Sequence, residues 1–192
     1  MKSQNTKKFI YIFLLSVFGS SACFAQISTD AKSAETAAVE REKFDPAKNP
    51  NDDLQAAITK ATKEKKRIIL DVGGEWCGWC RKMDYYFLEN KALAKLRGEN
   101  FVWVKINMSE ENENKEFLAK YPPIAGYPHL FVLETNGSLL HSQDTAQLEE
   151  PDLPIQSNPM EKDSLKKAQE KANARSYDIF KFAEFLKRWS SQ

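Results

Sequence analysis

Glu75-Trp76-Cys77-Gly78-Trp79-Cys80-Arg81-Lys82 is the stretch that decides how this 192-residue chain is read. It is preceded by a short apolar run, Ile68-Ile69-Leu70-Asp71-Val72, which reads as a buried strand. It is followed over residues 78–97 by Met83, Tyr86, Phe87, Leu93 and Leu96, a spacing that predicts one long helix ended by Gly98. Two cysteines three apart at a helix start share one face, with Cβ atoms roughly 5–6 Å apart. A small rotation therefore closes a disulfide, and the pair can cycle. A thiolate at a helix N-terminus is stabilised by unpaired N–H groups and the positive dipole end. Cys77, at or before the first turn, gains most from this and is the expected nucleophile; Cys80, one turn in, is the expected resolving thiol.

Two other readings of the pair compete. As a plain structural bridge it closes a very small loop, and the entropic benefit of a crosslink grows with loop length. A structural zinc site needs four ligands, yet His129 and His141 stand twelve residues apart and no second cysteine pair follows. The strand–CxxC–helix context favours redox chemistry.

Working outward, Asn51 or Asp52 can cap a helix carrying Leu54, Ala57, Ile58 and Ala61. A second strand is expected over residues 101–106 and a helix over 111–121, stopped by Pro122-Pro123. A strand over 129–134, an Asn136-Gly137 turn and a returning strand over 138–141 form a hairpin, and a last helix covers 177–189. This order predicts an α/β fold with a central mixed β-sheet flanked by helices. Residues 142–176, with Pro151, Pro154, Pro159 and a highly charged run, read as an insertion before the C-terminal helix.

Lys plus Arg total 28 against 27 Asp plus Glu, so the charge of +1 argues against a charge-driven function such as nucleic-acid binding. Lys2, Lys7 and Lys8 precede an apolar run over residues 9–18 and then the small residues Gly19 to Ala22. Residues 1–25 therefore read as a secretory signal peptide, its apolar core too short to span a bilayer. Cleavage after Ala25 is favoured over lipidation at Cys23, because Ser20 stands where lipoprotein signals carry Leu. Cleavage removes three lysines and no acid, moves the net charge to −2, and leaves Cys77 and Cys80 as the only cysteines. Residues 26–50 are expected to be a flexible N-terminal arm and residues 51–192 the domain. The chain is expected in the periplasm, without stable membrane insertion after cleavage.

Four motifs together resemble the thioredoxin superfamily: Asp71 six residues before Cys77, the CxxC string itself, Val104-Lys105-Ile106-Asn107, and Ile124-Ala125-Gly126-Tyr127-Pro128. The resemblance covers residues 52–141 and 177–190 and is nearest to exported bacterial thioredoxin-like proteins. It implies a thioredoxin-like fold, a thiol–disulfide oxidoreductase activity without a cofactor or metal, and a cis bond before Pro128. Cys77, Cys80, Asp71 and Lys105 take the catalytic positions, and Trp76, Gly78, Trp79, Tyr127 and Pro128 the substrate-facing ones. Trp79 in place of proline within the dipeptide, His129 after the cis-proline position and the insertion depart from the family pattern.

A carboxyl in an apolar strand is costly to bury charged, which suits Asp71 to exchange a proton with Cys80 through a water. Lys105 beside it would tune that carboxyl. Trp76 is expected to pack partly into the core, whereas Trp79 would offer an apolar landing surface. Pro128 in cis would turn the residue 127 N–H and C=O toward an incoming chain, which can pair there as an added strand. The expected function is reduction or isomerisation of disulfides in exported proteins, with electrons from a membrane donor protein. The alternative is a binding module that grips copper or a partner protein with Cys77, Cys80 and His129.

Overall fold

A computed structural model of the chain describes residues 41–151 and 175–191. The proposed signal peptide, Cys23, the first part of the arm and most of the insertion lie outside the described residues. The elements run α1 (Pro50–Glu64), β1 (Arg67–Gly73), α2 (Gly78–Glu89), α3 (Lys91–Asn100), β2 (Phe101–Asn107), α4 (Lys115–Leu118), β3 (His129–Leu133), β4 (Leu139–Asp144), a 3-10 turn (Thr145–Leu148) and a last helix, here α5 (Ile179–Arg188). Among the described residues no helix is long and apolar enough to cross a membrane.

The strands form one mixed sheet in the order β2-β1-β3-β4. β1 pairs parallel with β2, setting Asp71 opposite Lys105, and antiparallel with β3, setting Val72 opposite His129. Alternation along β1 divides the core. Ile68, Leu70 and Val72 face α1 through Ala57 and Ala61, while Ile69 joins Met83 and Phe87 of α2 and Phe182, Phe185 and Leu186 of α5. Asp71 shares the second face, so the strand period alone carries a carboxylate under α2.

Several boundaries differ from expectation for local reasons. Pro50 opens α1 and Asn49 caps it, its side chain accepting from the Asn51 N–H, one residue pair earlier than read from the sequence. The helix expected over 78–97 is two helices. It breaks at Asn90, whose backbone leaves the helical region (φ −98°, ψ 80°) while its side-chain amide bonds to the Tyr86 carbonyl at 2.8 Å. Gly98 does not end α3, which runs on to Asn100. The helix expected over 111–121 shrinks to Lys115–Leu118, because Ser109, Asn112 and Asn114 tie their own backbone into turns and Asn114 is left-handed (φ 47°). The hairpin turn is at Gly137, with φ +85°, where glycine is free of Cβ strain.

Two larger corrections concern the ends of the domain. The arm expected to be flexible through residue 50 is, from Arg41 on, docked on the domain, with Phe44 only 3% exposed. Residues 142–151 are not insertion: β4 continues to Asp144, the 3-10 turn follows, and Glu149 bridges to Tyr177. Tyr177 is fully buried, edge-on to Trp79 and Phe182, so its aromatic ring rather than helix α5 alone closes this end of the core.

Candidate active site

The turn between β1 and α2 is built for close approach. Cys77 donates its N–H to the Gly74 carbonyl and caps α2, its Sγ accepting from the Cys80 N–H at 3.1 Å. Cys77 and Cys80 are joined in a disulfide with Cα atoms 5.2 Å apart, both buried. A Cβ on Gly73 would stand 2.5 Å from Cys80 Sγ, and one on Gly74 would meet the Trp76 indole and the Met108 carbonyl. No larger residue fits at either place without a shift. In the dithiol, the same N–H and the helix N-terminus favour charge on the Cys77 sulfur.

Behind the pair lies a chain of buried charge. Lys105 Nζ reaches Asp71 Oδ2 at 3.0 Å and Asp84 Oδ1 at 2.7 Å, and the Trp103 indole N–H also donates to Asp71 Oδ2. Asp84 Oδ2 accepts from Arg41 at 3.1 Å, and Arg41 turns its other nitrogen to Glu75. Asp71 is fully buried, and its Oδ1 has no hydrogen-bond partner among the described residues. Burial pushes the Asp84 carboxyl up, against the opposing pull of Lys105. Burial pushes Lys105 down, but Asp71 and Asp84 outweigh it and hold the ammonium above its ordinary value. The Arg41 guanidinium holds the Glu75 carboxyl down to about 2.

The Tyr127-Pro128 bond is cis. The Pro128 carbonyl is fixed by the buried Thr145 hydroxyl, which donates to it at 2.6 Å. Tyr127 packs beside the cysteines and meets Trp76 edge to face at 5.6 Å. The two tryptophans exchange the places expected for them. Trp76 is 57% exposed with its indole N–H on the Met108 carbonyl, while Trp79 packs on Tyr177 and lies under the Lys82 ammonium. The reason is helical: Trp79 lies in the first turn of α2 on the side facing the Tyr177 segment, whereas Trp76 precedes the cap.

His129 does not join the cysteines. It is buried, its Nε2 is 2.8 Å from Ser142 Oγ, and burial pushes its pKa down. Among the described residues no group of three His, Cys, Asp or Glu is placed to hold a metal ion. The grip on copper through Cys77, Cys80 and His129 is therefore not assembled in this geometry.

Four contributors escaped the reading of the sequence: Arg41, Phe44, Asp84 and Thr145. Asp84 carries a signal, since it follows Cys80 by one helical turn and so projects from the same face of α2. Thr145 carries none, because its role depends on how far β4 continues.

Residues 49–135 match a family model described as thioredoxin-like. Spermatogenesis-associated protein 20 of Homo sapiens is 41% identical over 56 residues, 29% of this chain and 7% of that protein. Disulfide bond reductase DsbH of Chlamydia pneumoniae is 26% identical over 93 residues, 44% of this chain and 55% of that protein. The chain thus spans little more than half the length of one relative and a small fraction of the other. Among solved structures, a disulphide isomerase from Xylella fastidiosa Temecula1 superposes with a TM-score of 0.53 at 22% identity, over 76% of this chain and 94% of that one.

Proposed function

We propose that this chain, which carries a thioredoxin-superfamily domain, is a thiol–disulfide oxidoreductase of the cell envelope that reduces or isomerises disulfides in exported proteins. The observation that carries the reading is Cys77 as the cap of α2, bonded to Cys80 and flanked by a cis-proline loop. The similarity to a disulfide bond reductase supports it.

In the reductive direction the Cys77 thiolate attacks one sulfur of a substrate disulfide. A Cys77–substrate mixed disulfide forms and the first substrate thiolate leaves. Cys80, losing its proton, then attacks Cys77 Sγ; the mixed disulfide breaks, the second substrate thiolate leaves, and the Cys77–Cys80 disulfide remains. Two electrons pass to the substrate and two protons convert its thiolates to thiols. Asp71 is assigned the proton exchange with Cys80, with Lys105 and Asp84 tuning it. Trp76, Gly78, Tyr127 and Pro128 form the face on which the substrate docks, and the residue 127 backbone offers a strand-like edge. Trp79 supports that face from beneath.

The direction follows from electrostatics. Carboxylates near the pair oppose over-stabilisation of the thiolate, and no histidine stands between the cysteines to favour it. Such a pair is reducing and must be recharged by a dithiol donor, for which a membrane electron-transfer protein is the fitting class in an oxidising compartment. The signal peptide expected over residues 1–25 supports that compartment. Cys80→Ser is expected to accumulate mixed disulfides with envelope proteins, while Cys77→Ser accumulates few and loses activity; non-reducing gels of alkylated cell extracts read the difference. Equal trapping by both variants contradicts the assignment of Cys77 as nucleophile.

A further inference from the structure

The segment before α1 reaches the cysteine pair from a direction that the motifs do not account for. Phe44, 3% exposed, forms one small buried cluster with Cys77 and Cys80. The tip of its ring stands 3.1 Å from where a Gly73 Cβ would be, beside Cys80 Sγ, and the Lys105 ammonium lies 4.0 Å over the ring centroid. One aromatic ring is thus a common neighbour of the two sulfurs and of the buried charge cluster. It is also held deliberately: the Phe44 N–H donates to Glu75 Oε1 at 2.9 Å, and Arg41 grips both oxygens of the same carboxylate while its Nη1 reaches Asp84. Glu75 is two residues before the nucleophile, so the anchor of the segment is part of the motif itself.

We propose that Phe44 is a positioning residue for the cysteine pair, a wedge clamped by Arg41 and Glu75 that keeps water and the Lys105 ammonium away from the Cys80 sulfur. The inference rests on the redox reading above. Its physical content is differential solvation. A disulfide gains little from water or a nearby cation, whereas a thiolate gains much. Withdrawal of the ring therefore stabilises the dithiol form, and a seated ring keeps the pair reducing.

The test uses the full chain with Phe44→Ala, Phe44→Leu and Arg41→Gln. Two quantities are measured: the equilibrium of Cys77–Cys80 with a glutathione buffer, and, in a Cys77→Ser background, the titration of Cys80 by thiolate absorbance. Phe44→Ala is expected to raise the Cys80 thiolate fraction about tenfold at a pH below its midpoint and to move the equilibrium several-fold toward the dithiol. Phe44→Leu, which refills the space, should stay within about twofold of the parent, with Arg41→Gln in between. A folded Phe44→Ala with the parent's equilibrium and titration overturns the proposal, as does a Phe44→Leu shift as large as that of Phe44→Ala. Should Phe44→Ala fail to fold, Arg41→Gln decides, an unchanged equilibrium counting against the wedge. A parent chain that does not exchange with glutathione at all refutes the redox reading instead.

Discussion

At the residue scale the site is an exercise in placing charge next to sulfur without letting it reach the sulfur freely. Asp71 and Lys105 face each other across parallel strands, and that pairing was legible from the strand pattern and the family resemblance. Asp84 was legible only in part: its spacing from Cys80 sets it on the same face of α2, but that it doubles the negative charge on Lys105 depends on how α2 docks on the sheet. Asp71→Asn keeps the volume and leaves Lys105 paired with Asp84, so the fold should persist. Turnover in an insulin-reduction assay should fall roughly tenfold or more if the carboxyl exchanges a proton with Cys80. A variant with unchanged rates across neutral pH would make Asp71 a structural partner of Lys105 and nothing else. The reversal of Trp76 and Trp79 has the same origin: both are aromatic neighbours of a cysteine, and only the packing of Tyr177 decides which one is covered.

At the scale of elements, the strand–CxxC–helix unit, the hairpin and the last helix were readable from periodicity and turn residues. The break at Asn90 and the docking of residues 41–49 were not. Both depend on local contacts that carry no periodic signature: the Asn90 side chain with Tyr86, and Arg41 and Phe44 with Glu75. The second contact has a pH consequence. Glu75 titrates at about 2 in the folded chain against 4.5 for a free carboxyl, so its contribution is fully present above 4.5 and is lost as pH falls from there toward 2. Its carboxylate is more than a third exposed, so the contribution to global stability is small and the effect is local. The Phe44 amide resonance, which reports the bond to Glu75, is expected to titrate with a midpoint near 2, and Glu75→Gln should abolish that titration. A midpoint near 4.5 would mean that the clamp does not form in solution.

At the scale of the described molecule, a four-stranded sheet with helices on both faces holds the cysteine pair at the end of β1, and the chain beyond the matched family region completes the core under it. Tyr177, reached only after the proline-rich stretch, is the clearest instance: its hydroxyl donates to the Trp79 carbonyl at 3.4 Å, and its ring joins α2 to α5. Tyr177→Ala should cost about 3–5 kcal/mol in denaturant unfolding and increase the exposure of Trp79 to a fluorescence quencher. A loss below about 1 kcal/mol would contradict the packing described for this end of the core. The sequence showed the insertion as a departure from a minimal fold but could not show where it begins, because β4 and the 3-10 turn lack strong periodicity. The central claim is that Cys77 and Cys80 form a working couple biased toward reduction, and the equilibrium of the pair against a series of glutathione buffers, read by alkylation of the two thiols, tests it most directly. The account predicts a reversible two-electron exchange with a midpoint nearer about −250 mV than about −120 mV. A midpoint near the upper value, or a disulfide that glutathione and dithiothreitol leave intact, would contradict it.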